Sequence, residues 1–241
     1  MDRSQALQGQ TALVTGATRG IGRAVALALA ERGVKVGAIA RQPGHILAEL
    51  TAAGTPGQFY NLDLARPDTV ESQLANLLQT FGAPNIVVLN AGMALVANLT
   101  ATSLQDWQRL FDLNVHSVFA SLRAIVPAMR AQGGHIVFLG SIASKQAFPG
   151  WGAYCSSKFA LLALAQTLAA EERPHIRVST LLPGAVNTPL WETLPTAVQA
   201  QFDRTQMLSP EDVAASVIHV LKMPPHATVA EITLLPQTGV L

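Results

Sequence analysis

Short runs rich in Val, Ile and Leu alternate with longer helical patterns from one end of the sequence to the other. Several of the short runs, such as Ile86–Leu89, lack polar alternation, which is typical of strands that helices cover on both faces of a parallel sheet. A strand–helix–strand order repeated about six times predicts the α/β class: a Rossmann-like, doubly wound parallel sheet of about seven strands with helices on both faces. We expect the strands at Thr11–Thr15, Val34–Ala40, Gln58–Asn61, Ile86–Leu89, His135–Leu139, Arg177–Leu182 and Glu231–Leu235, and the helices at Gly20–Arg32, His45–Ala53, Pro67–Phe81, Ser103–Arg130, Trp151–Glu171 and Pro210–Lys222.

Charged residues are scarce in this chain. The 16 Lys plus Arg and 15 Asp plus Glu make up 13% of its 241 residues, where a soluble domain has about 25%. With 49% hydrophobic residues and a net charge of +1, the composition excludes a disordered chain. It also lacks the basic surplus of a nucleic-acid-binding protein, and no run of about 20 apolar residues could cross a membrane. We therefore expect a globular protein with neither nucleic acid nor membrane as a partner.

A glycine-rich segment directly follows the first predicted strand. It reads Thr-Gly-Ala-Thr-Arg-Gly-Ile-Gly from Thr15 to Gly22, and an alanine-rich helical pattern follows it at once. Glycines in this position allow a tight turn and let backbone N–H groups approach a pyrophosphate at the helix N-terminus. The segment therefore predicts a dinucleotide site.

The sequence shows no linker rich in Pro, Gly or Ser, so we expect one domain over residues 1–241. Its nucleotide-binding part should lie mainly in 10–92 and its catalytic and substrate-binding part mainly in 93–241. The polar segment Met1–Gln10 lacks the plan of a secretion signal, and the single cysteine, Cys155, permits no internal disulfide. Both features predict a cytoplasmic protein.

Tyr154 and Lys158 are four residues apart at the start of a predicted helix, so their side chains share a face. An ammonium group beside a phenol favours the phenolate and lowers a tyrosine pKa that is normally about 10. We therefore expect Lys158 to lower the pKa of Tyr154 toward neutrality, where a tyrosine can serve as a general acid or base.

The glycine spacing after Thr15 and the Tyr-xxx-Lys pair after the fifth predicted strand resemble the short-chain dehydrogenase/reductase family, and the resemblance extends over almost the whole chain. It implies that Tyr154 gives its proton to a carbonyl oxygen as hydride arrives, and accepts it back in the reverse reaction. Lys158 would lower the pKa of Tyr154 and bind the nicotinamide ribose. Ser141 would be a second donor to the substrate oxygen, and Asn114 would position a water that links the lysine to solvent.

The same resemblance implies which residues hold the cofactor. The segment after the third predicted strand would hold the adenine, and a loop after the sixth would close on the nicotinamide. An Asn-Ala-Gly sequence follows the fourth strand as in the family, although the residue before it, often another Asn, is Leu89 here. The implied cofactor-binding residues are Gly16, Thr18, Arg19, Gly20, Ile21, Gly22, Arg41, Asp63, Leu64, Asn90, Ala91, Gly92, Tyr154, Lys158, Pro183, Gly184, Val186 and Thr188.

The residues after the second predicted strand predict which nicotinamide cofactor is bound. An NAD enzyme offers an Asp or Glu there to the ribose hydroxyls, whereas an NADP enzyme must bind a 2′-phosphate. Ala40 stands where the acidic residue would be, and Arg41 follows it. Arg19 is the second basic group that NADP-preferring members of the family commonly present to that phosphate. Two arginines can make charge-assisted hydrogen bonds to a phosphate, so we predict NADP(H).

Hydrophobic residues dominate the segments that should border the nicotinamide. A pocket built from them would be apolar, with few polar groups to direct a ligand. We therefore predict a small hydrophobic ketone or aldehyde, reduced to the alcohol with NADPH or formed from it in reverse, rather than a sugar or a carboxylated metabolite. The residues expected there, some of which should pack internally instead, are Met93, Leu95, Phe148, Trp151, Leu190, Trp191, Leu194 and Met207.

Two alternative functions stay open at this point. Ketoacyl carrier-protein reductases share the loop and catalytic pattern, but where they tend to carry arginines for the acidic carrier this chain has Gln132 and His175, with Arg130 and Arg173 close by. Segment 230–236 also lacks their usual Val-Asp-Gly-Gly ending. The second alternative is a redox sensor that binds NADP without turnover, since a fold does not determine a function. The four filled catalytic positions argue against it.

The helix pattern after Tyr154 is apolar on all sides, from Phe159 to Leu168. Such a helix has no face for water. It is either deep in one subunit or packed between the sheet and a second subunit, and the family resemblance implies a homotetramer or a dimer.

Three further features point to no chemistry of their own. The six histidines show no paired metal spacing, which predicts no catalytic metal. Cys155 should be a small buried residue rather than a nucleophile, and His116 a packed helix residue rather than a proton relay.

Overall fold

Seven strands form one parallel sheet within residues 7–239, the part of the chain that the computed structural model describes. Of the N-terminal segment Met1–Gln10, residues 1–6 lie outside this range. All neighbouring strands run parallel, as the uninterrupted aliphatic runs predicted. The strands are β1 Thr11–Thr15, β2 Lys35–Ala40, β3 Gln58–Asn61, β4 Ile86–Leu89, β5 Gly134–Leu139, β6 Ile176–Pro183 and β7 Glu231–Leu234.

Helices connect the strands as crossovers. Each predicted helix is present with ends that differ by a few residues, and the long Ser103–Arg130 pattern is divided into two helices. A short helix in the connection before the last long helix was not predicted. The helices are α1 Gly20–Ala30, α2 Ile46–Ala52, α3 Pro67–Phe81, α4 Leu104–Phe111, α5 Ser117–Met129, α6 Gly152–Glu171, α7 Thr196–Gln199 and α8 Pro210–Leu221.

The strand order is β3-β2-β1-β4-β5-β6-β7, which confirms a single Rossmann-like domain. The chain builds the sheet outward from β1 to β3, crosses back through α3, and then builds it in the other direction from β4. The connections on the two sides of this switch point diverge, and in open parallel sheets ligands bind in the crevice left there, beyond the carboxyl ends of the strands. The fold therefore places the predicted dinucleotide segment, which leaves β1, beside the segment that leaves β4.

Alternate residues of β4 face two separate apolar cores. Ile86 and Val88 pack in the core with α1, α2 and α8, whereas Val87 and Leu89 pack in the core with α3, α5 and α6. All four side chains are at most 3% exposed. A strand covered on both faces needs an apolar residue at every position, which accounts for its continuous aliphatic sequence.

One wide helical turn interrupts the predicted Ser103–Arg130 helix. Asp112–His116 form a π-helical turn between α4 and α5. Such turns are rare and often occur at functional sites. Asn114 lies at the centre of the turn and is 1% exposed, so the irregular turn carries a predicted catalytic residue into the interior.

The helix after Tyr154 is buried on one side only. Leu161, Ala165 and Leu168 of α6 pack in the core, but Phe159 on the same helix is 44% exposed, and Phe119 on α5 is 52% exposed. The interpretation that this helix lies deep in one subunit is therefore wrong, because its apolar residues outnumber those that a single sheet can cover. No helix within residues 7–239 is both long enough and apolar enough to cross a lipid bilayer.

Candidate active site

The glycine turn brings the end of β1 and the start of α1 into close contact. Gly16 has a φ of +66°, a left-handed conformation that favours glycine. A Cβ atom at Gly22 would overlap the carbonyl oxygen of Gly16 and Nδ2 of Asn90, so only glycine fits there. At the start of α1, Arg19 makes no side-chain cap, which leaves first-turn N–H groups for another acceptor. These groups and the helix dipole favour an anion at this point.

The remaining predicted residues of the turn lie on its two sides. Gly20 also has a positive φ, +54°, and a Cβ there would lie 3.4 Å from side-chain atoms of Thr188. Ile21 packs against the core under α1, and Thr18 is half-buried. The turn therefore lies between the core below it and the segment that carries Thr188.

Thr15 and Asn90 join the two strands at the switch point. The Thr15 hydroxyl oxygen accepts hydrogen bonds from the backbone N–H of Asn90 at 2.9 Å and of Ala91 at 3.0 Å. The Asn90 amide donates to the carbonyl oxygen of Thr15 at 2.8 Å. Sequence reasoning assigned Asn90 and Ala91 to the cofactor and missed this role of Thr15. In the structure, the hydrogen bonds of Asn90 and Ala91 to Thr15 hold the glycine turn against the end of β4.

Two unpaired arginines follow the first two strands, Arg19 at the start of α1 and Arg41 directly after β2. The side chains of Arg19 and Arg41 are exposed, and neither has a hydrogen-bond or ion-pair partner among residues 7–239. The Asn61 amide donates to the carbonyl oxygen of Arg41 at 3.0 Å and so fixes its backbone. In the next connection, Asp63 accepts from the backbone N–H of Ala65 at 3.1 Å. The nearby side chain of Leu64 is 6% exposed and packs in the core, which leaves only its backbone for a ligand.

Tyr154 and Ser141 form the centre of the candidate site. The Tyr154 side chain is half-buried, and the Ser141 side chain lies near enough to its phenol group to lower the phenol pKa. Burial raises the pKa of Tyr154 to about 12, because the phenolate loses its hydration, and the lowering influence of Ser141 offsets only part of this effect. The expectation that Lys158 lowers this pKa toward neutrality is wrong for the protein alone.

Lys158 lies beneath the tyrosine in the interior. It is 6% exposed, and its ammonium group donates to the carbonyl oxygen of Leu139 at 3.1 Å. Its Nζ lies 5.7 Å from the centre of the Tyr154 ring. A Cβ atom at Gly92 would lie 3.8 Å from this Nζ, so Gly92 lies beside the ammonium group. Burial lowers the pKa of Lys158 to about 8.

Asn114 connects three segments around the site. Its Oδ1 accepts from the backbone N–H of Met93 at 2.9 Å, and its Nδ2 donates to the Met93 carbonyl oxygen at 2.9 Å and to the Ser157 hydroxyl at 3.0 Å. Ser157 in turn donates to the carbonyl oxygen of Tyr154 at 2.7 Å. The structure therefore shows Asn114 as a buried clamp, with its side-chain amide occupied by protein rather than aimed at solvent. Sequence reasoning missed Ser157.

The predicted nicotinamide loop leaves β6 on the far side of the crevice. Pro183 ends β6, and the backbone N–H of Gly184 donates to the Leu234 carbonyl oxygen at 2.8 Å. Val186 and Thr188 are 7% and 8% exposed. This loop is therefore anchored to the sheet at one end and packed against the glycine turn at the other.

An aromatic cluster extends from Tyr154 into the segment after β6. Trp151 meets Tyr154 edge to face with ring centres 5.7 Å apart, and it meets Trp191 in the same way at 6.2 Å. Trp191 in turn packs on Phe202 at 4.8 Å. Trp191 and Leu194 were expected to border substrate, but they are only 8% and 7% exposed and pack internally. Trp151, Met93, Leu190 and Met207 are half-buried, so their positions suit a pocket wall, and Phe202 was missed.

The other residues that the sequence singled out lie outside this constellation. Cys155 is 3% exposed, which confirms a small buried residue. His116 was expected to be packed, but its side chain is 56% exposed and lies 2.9 Å from Asp112, one helical turn away. Within residues 7–239, no three His, Cys, Asp or Glu side chains are grouped to hold a metal ion.

The fold and the switch-point site define a Rossmann-type nucleotide-binding protein, and comparison with known proteins identifies its family. A family model described as short chain dehydrogenase matches residues 10–199. Dehydrogenase/reductase SDR family member 11 of Bos taurus is 34% identical over 242 residues, which cover 93% of this chain and 95% of the relative. The chain belongs to the short-chain dehydrogenase family of oxidoreductases.

Two solved structures and one longer protein extend the comparison. An alcohol dehydrogenase from Thermococcus sibiricus complexed with 5-hydroxy-NADP has a TM-score of 0.86 and 30% identity, covering 95% of this chain and 97% of its own. A metagenomic short-chain oxidoreductase in complex with NADP has a TM-score of 0.82 and 30% identity, covering 96% and 99%. The glycine betaine reductase of Emericella nidulans is 35% identical over 240 residues, 96% of this chain, which spans only 19% of that relative's length.

Proposed function

We propose that this protein reduces a small hydrophobic ketone or aldehyde to the alcohol with NADPH, and catalyses the reverse reaction. The observation that carries the proposal is the grouping of Tyr154, Ser141 and Lys158 at the switch point, beside the apolar cluster that contains Trp151 and Leu190. The two NADP-bound structural neighbours support the choice of cofactor.

The residues at the crevice fit an NADP molecule along its length. The free N–H groups at the start of α1 suit the pyrophosphate, and the close turn at Gly22 lets the backbone approach it. Arg19 and Arg41 carry positive charge that no carboxylate within residues 7–239 neutralises, which suits a 2′-phosphate. The Lys158 ammonium group, beside Gly92, suits hydrogen bonds to the nicotinamide ribose.

The tyrosine holds the proton that carbonyl reduction requires. Bound NADPH would supply the hydride that adds to the carbonyl carbon. Since its pKa is about 12, Tyr154 is protonated at neutral pH and can donate that proton to the carbonyl oxygen as it gains negative charge. Ser141, whose side chain lies near the phenol, can donate a second hydrogen bond to the same oxygen. Lys158, with a pKa of about 8, is mostly charged at pH 7, and its field stabilises the phenolate that remains.

Oxidation of NADPH, followed at its absorbance band, tests the proposed function. We expect turnover with aryl ketones and hydrophobic aldehydes, because the accessible walls of the pocket are apolar. Sugars and free keto acids should react slowly if at all, since no unpaired cation lies among the pocket residues named above to receive a carboxylate. NADPH binding without oxidation by any carbonyl compound would instead support a redox sensor.

A ketoacyl carrier-protein reductase fits the structure less well. Arg130, one of the two arginines near the carrier positions, makes a two-point ion pair with Glu172, at 2.7 and 3.1 Å. The Gln132 amide donates to the carbonyl oxygens of Ala83 and Pro84. These groups are already engaged within the chain, so an acidic carrier protein would find few free cations there. Ketoacyl thioesters belong in the substrate panel because faster turnover with them would favour this alternative.

We also propose that the protein is a homo-oligomer, a tetramer or a dimer, which buries the exposed side of α6. Phe159 on α6 and Phe119 on α5 are large apolar side chains exposed to solvent, and apolar surface of this kind marks contact sites. At micromolar concentration we expect the oligomer in sedimentation velocity, and weaker association for Phe159→Glu. Leu47→Glu on α2 changes a side chain of similar exposure, 42%, and should leave the oligomer intact. A monomeric wild-type protein would contradict the proposal.

A further inference from the structure

A long connection between β6 and α8, which we call the covering segment, residues 184–208, closes one side of the candidate site. Its two ends are joined by backbone hydrogen bonds, from Asn187 N–H to the Leu208 carbonyl oxygen at 2.8 Å and from Leu208 N–H to the Ala185 carbonyl oxygen at 3.0 Å. The covering segment is therefore a closed loop whose beginning and end lie side by side.

One side chain adds a second connection between the two halves of this loop. The Nε atom of Arg204 donates to Oδ1 of Asn187 at 2.8 Å, and its Nη2 donates to the carbonyl oxygen of Thr188 at 3.3 Å. Its Nη1 lies 3.8 Å from Oε1 of Glu192. The planar guanidinium group presents its donors in a fixed fork, so one arginine holds the loop at several points at once.

Thr188, which Arg204 holds by its carbonyl oxygen, lies against the nucleotide turn. Thr188 is 8% exposed, and its side chain is in van der Waals range of the position that a Cβ at Gly20 would take. The Arg204 side chain makes no hydrogen bond to this turn within residues 7–239; it reaches Thr188 through the backbone carbonyl oxygen. A change at Arg204 is therefore transmitted to the cofactor crevice through the position of Thr188.

We propose that Arg204 is a positioning residue, which holds Asn187 and Thr188 and so fixes Thr188 against the glycine turn, and thereby strengthens cofactor binding without touching the cofactor. The proposal rests on the proposed function, since it concerns the same NADPH site. Removal of Arg204 should let the covering segment open more often, and local opening of this kind exposes the backbone to proteolysis.

Limited proteolysis with chymotrypsin measures this opening without any turnover. Trp191 and Phe202 offer cleavage sites inside the covering segment, and mass spectrometry identifies the cut. We expect Arg204→Met to be cleaved there about tenfold faster than wild type, a factor that one hydrogen bond to a charged group can account for. Arg204→Lys, which keeps one donor, should lie between the two. Asn187→Leu removes the acceptor instead of the donor and should also be cleaved faster.

Arg32→Met is the matched control. Arg32 also donates to a carbonyl oxygen, that of Ala28 at 2.7 Å, and lies 3.5 Å from a carboxylate oxygen of Glu31, with an exposure of 36% against 37% for Arg204. It stands beyond the end of α1, at the amino edge of the sheet. Cleavage inside the covering segment and the midpoint of thermal unfolding should both match wild type in this variant.

Kinetics with NADPH then separate a positioning role from a general loss of stability. For Arg204→Met we expect the KM for NADPH to rise about tenfold while kcat stays near wild type, because the lost interaction acts on binding rather than on the proton donor. Folded Arg204→Met and Asn187→Leu proteins with wild-type cleavage rates would overturn the proposal. Equal acceleration in Arg32→Met would overturn it as well. If wild type does not use NADPH, the proposed function fails, but the cleavage comparison still decides whether Arg204 holds the segment.

Discussion

Tyr154→Phe should lower kcat by about 10²- to 10⁴-fold, the usual contribution of a positioned general acid, and leave NADPH affinity unchanged. The substitution removes only the phenol oxygen, so the ring keeps its edge-to-face contact with Trp151. Ser141 and Lys158 stay in place, but neither can replace the lost donor, since Ser141 holds its proton too strongly and Lys158 is bonded to Leu139. Single-turnover kinetics with NADPH and an aryl ketone measure the chemical step directly.

The chain supplies a matched control for this experiment because it contains only two tyrosines. Tyr60 lies on β3 and donates its hydroxyl hydrogen to Gln58 at 2.8 Å on the protein surface. Tyr60→Phe removes the same atom away from the carbonyl pocket and should leave kcat near wild type. A Tyr154→Phe enzyme that keeps wild-type kcat would refute the proposed mechanism, whereas a variant that also fails to bind NADPH would show that the phenol shapes the crevice.

The fold was predictable because its main constraints repeat along the chain. Burial on both sheet faces requires an apolar residue at each position of a strand such as β4, and the crossover helices between strands require long amphipathic patterns. The glycine turn was predictable for a local reason: at Gly22 any side chain would overlap backbone and Asn90. Each of these signals depends on nearby residues or on a simple period.

Features that depend on distant contacts could not be predicted in this way. The π-helical turn around Asn114 produces no repeating sequence pattern. The hydrogen bonds of Asn114 to Met93 and Ser157 join residues that are 21 and 43 positions apart. The raised pKa of Tyr154 follows from burial by segments that fold around it, including Trp151. The Tyr-xxx-Lys spacing indicates only the effect of the lysine charge on the tyrosine. The direction predicted for the pKa shift of Tyr154 was therefore wrong for the protein alone.

Cofactor preference has the second large expected effect. Arg41→Asp should raise the KM for NADPH by about tenfold or more and spare NADH, because it replaces a charge-assisted hydrogen bond to the 2′-phosphate with repulsion. The same carboxylate would stand one residue beyond Ala40, close to where NAD enzymes hold the ribose hydroxyls, so NADH binding has no reason to weaken. The ratio of kcat/KM for the two cofactors is the quantity to measure.

Arg109→Asp on α4 controls for the change of two units in net charge. The Arg109 side chain is exposed and, among residues 7–239, has no hydrogen-bond or ion-pair partner, so its reversal should leave the cofactor ratio unchanged. Arg19→Gln should shift the ratio in the same direction as Arg41→Asp but by less, since it removes a charge without adding an opposite one. The effect of Arg41 should also shrink as salt rises, because solvent-exposed charges are screened. An unchanged cofactor preference in Arg41→Asp would show that the 2′-phosphate lies elsewhere. The prediction of NADP(H) would then lose the main observation on this chain that supports it.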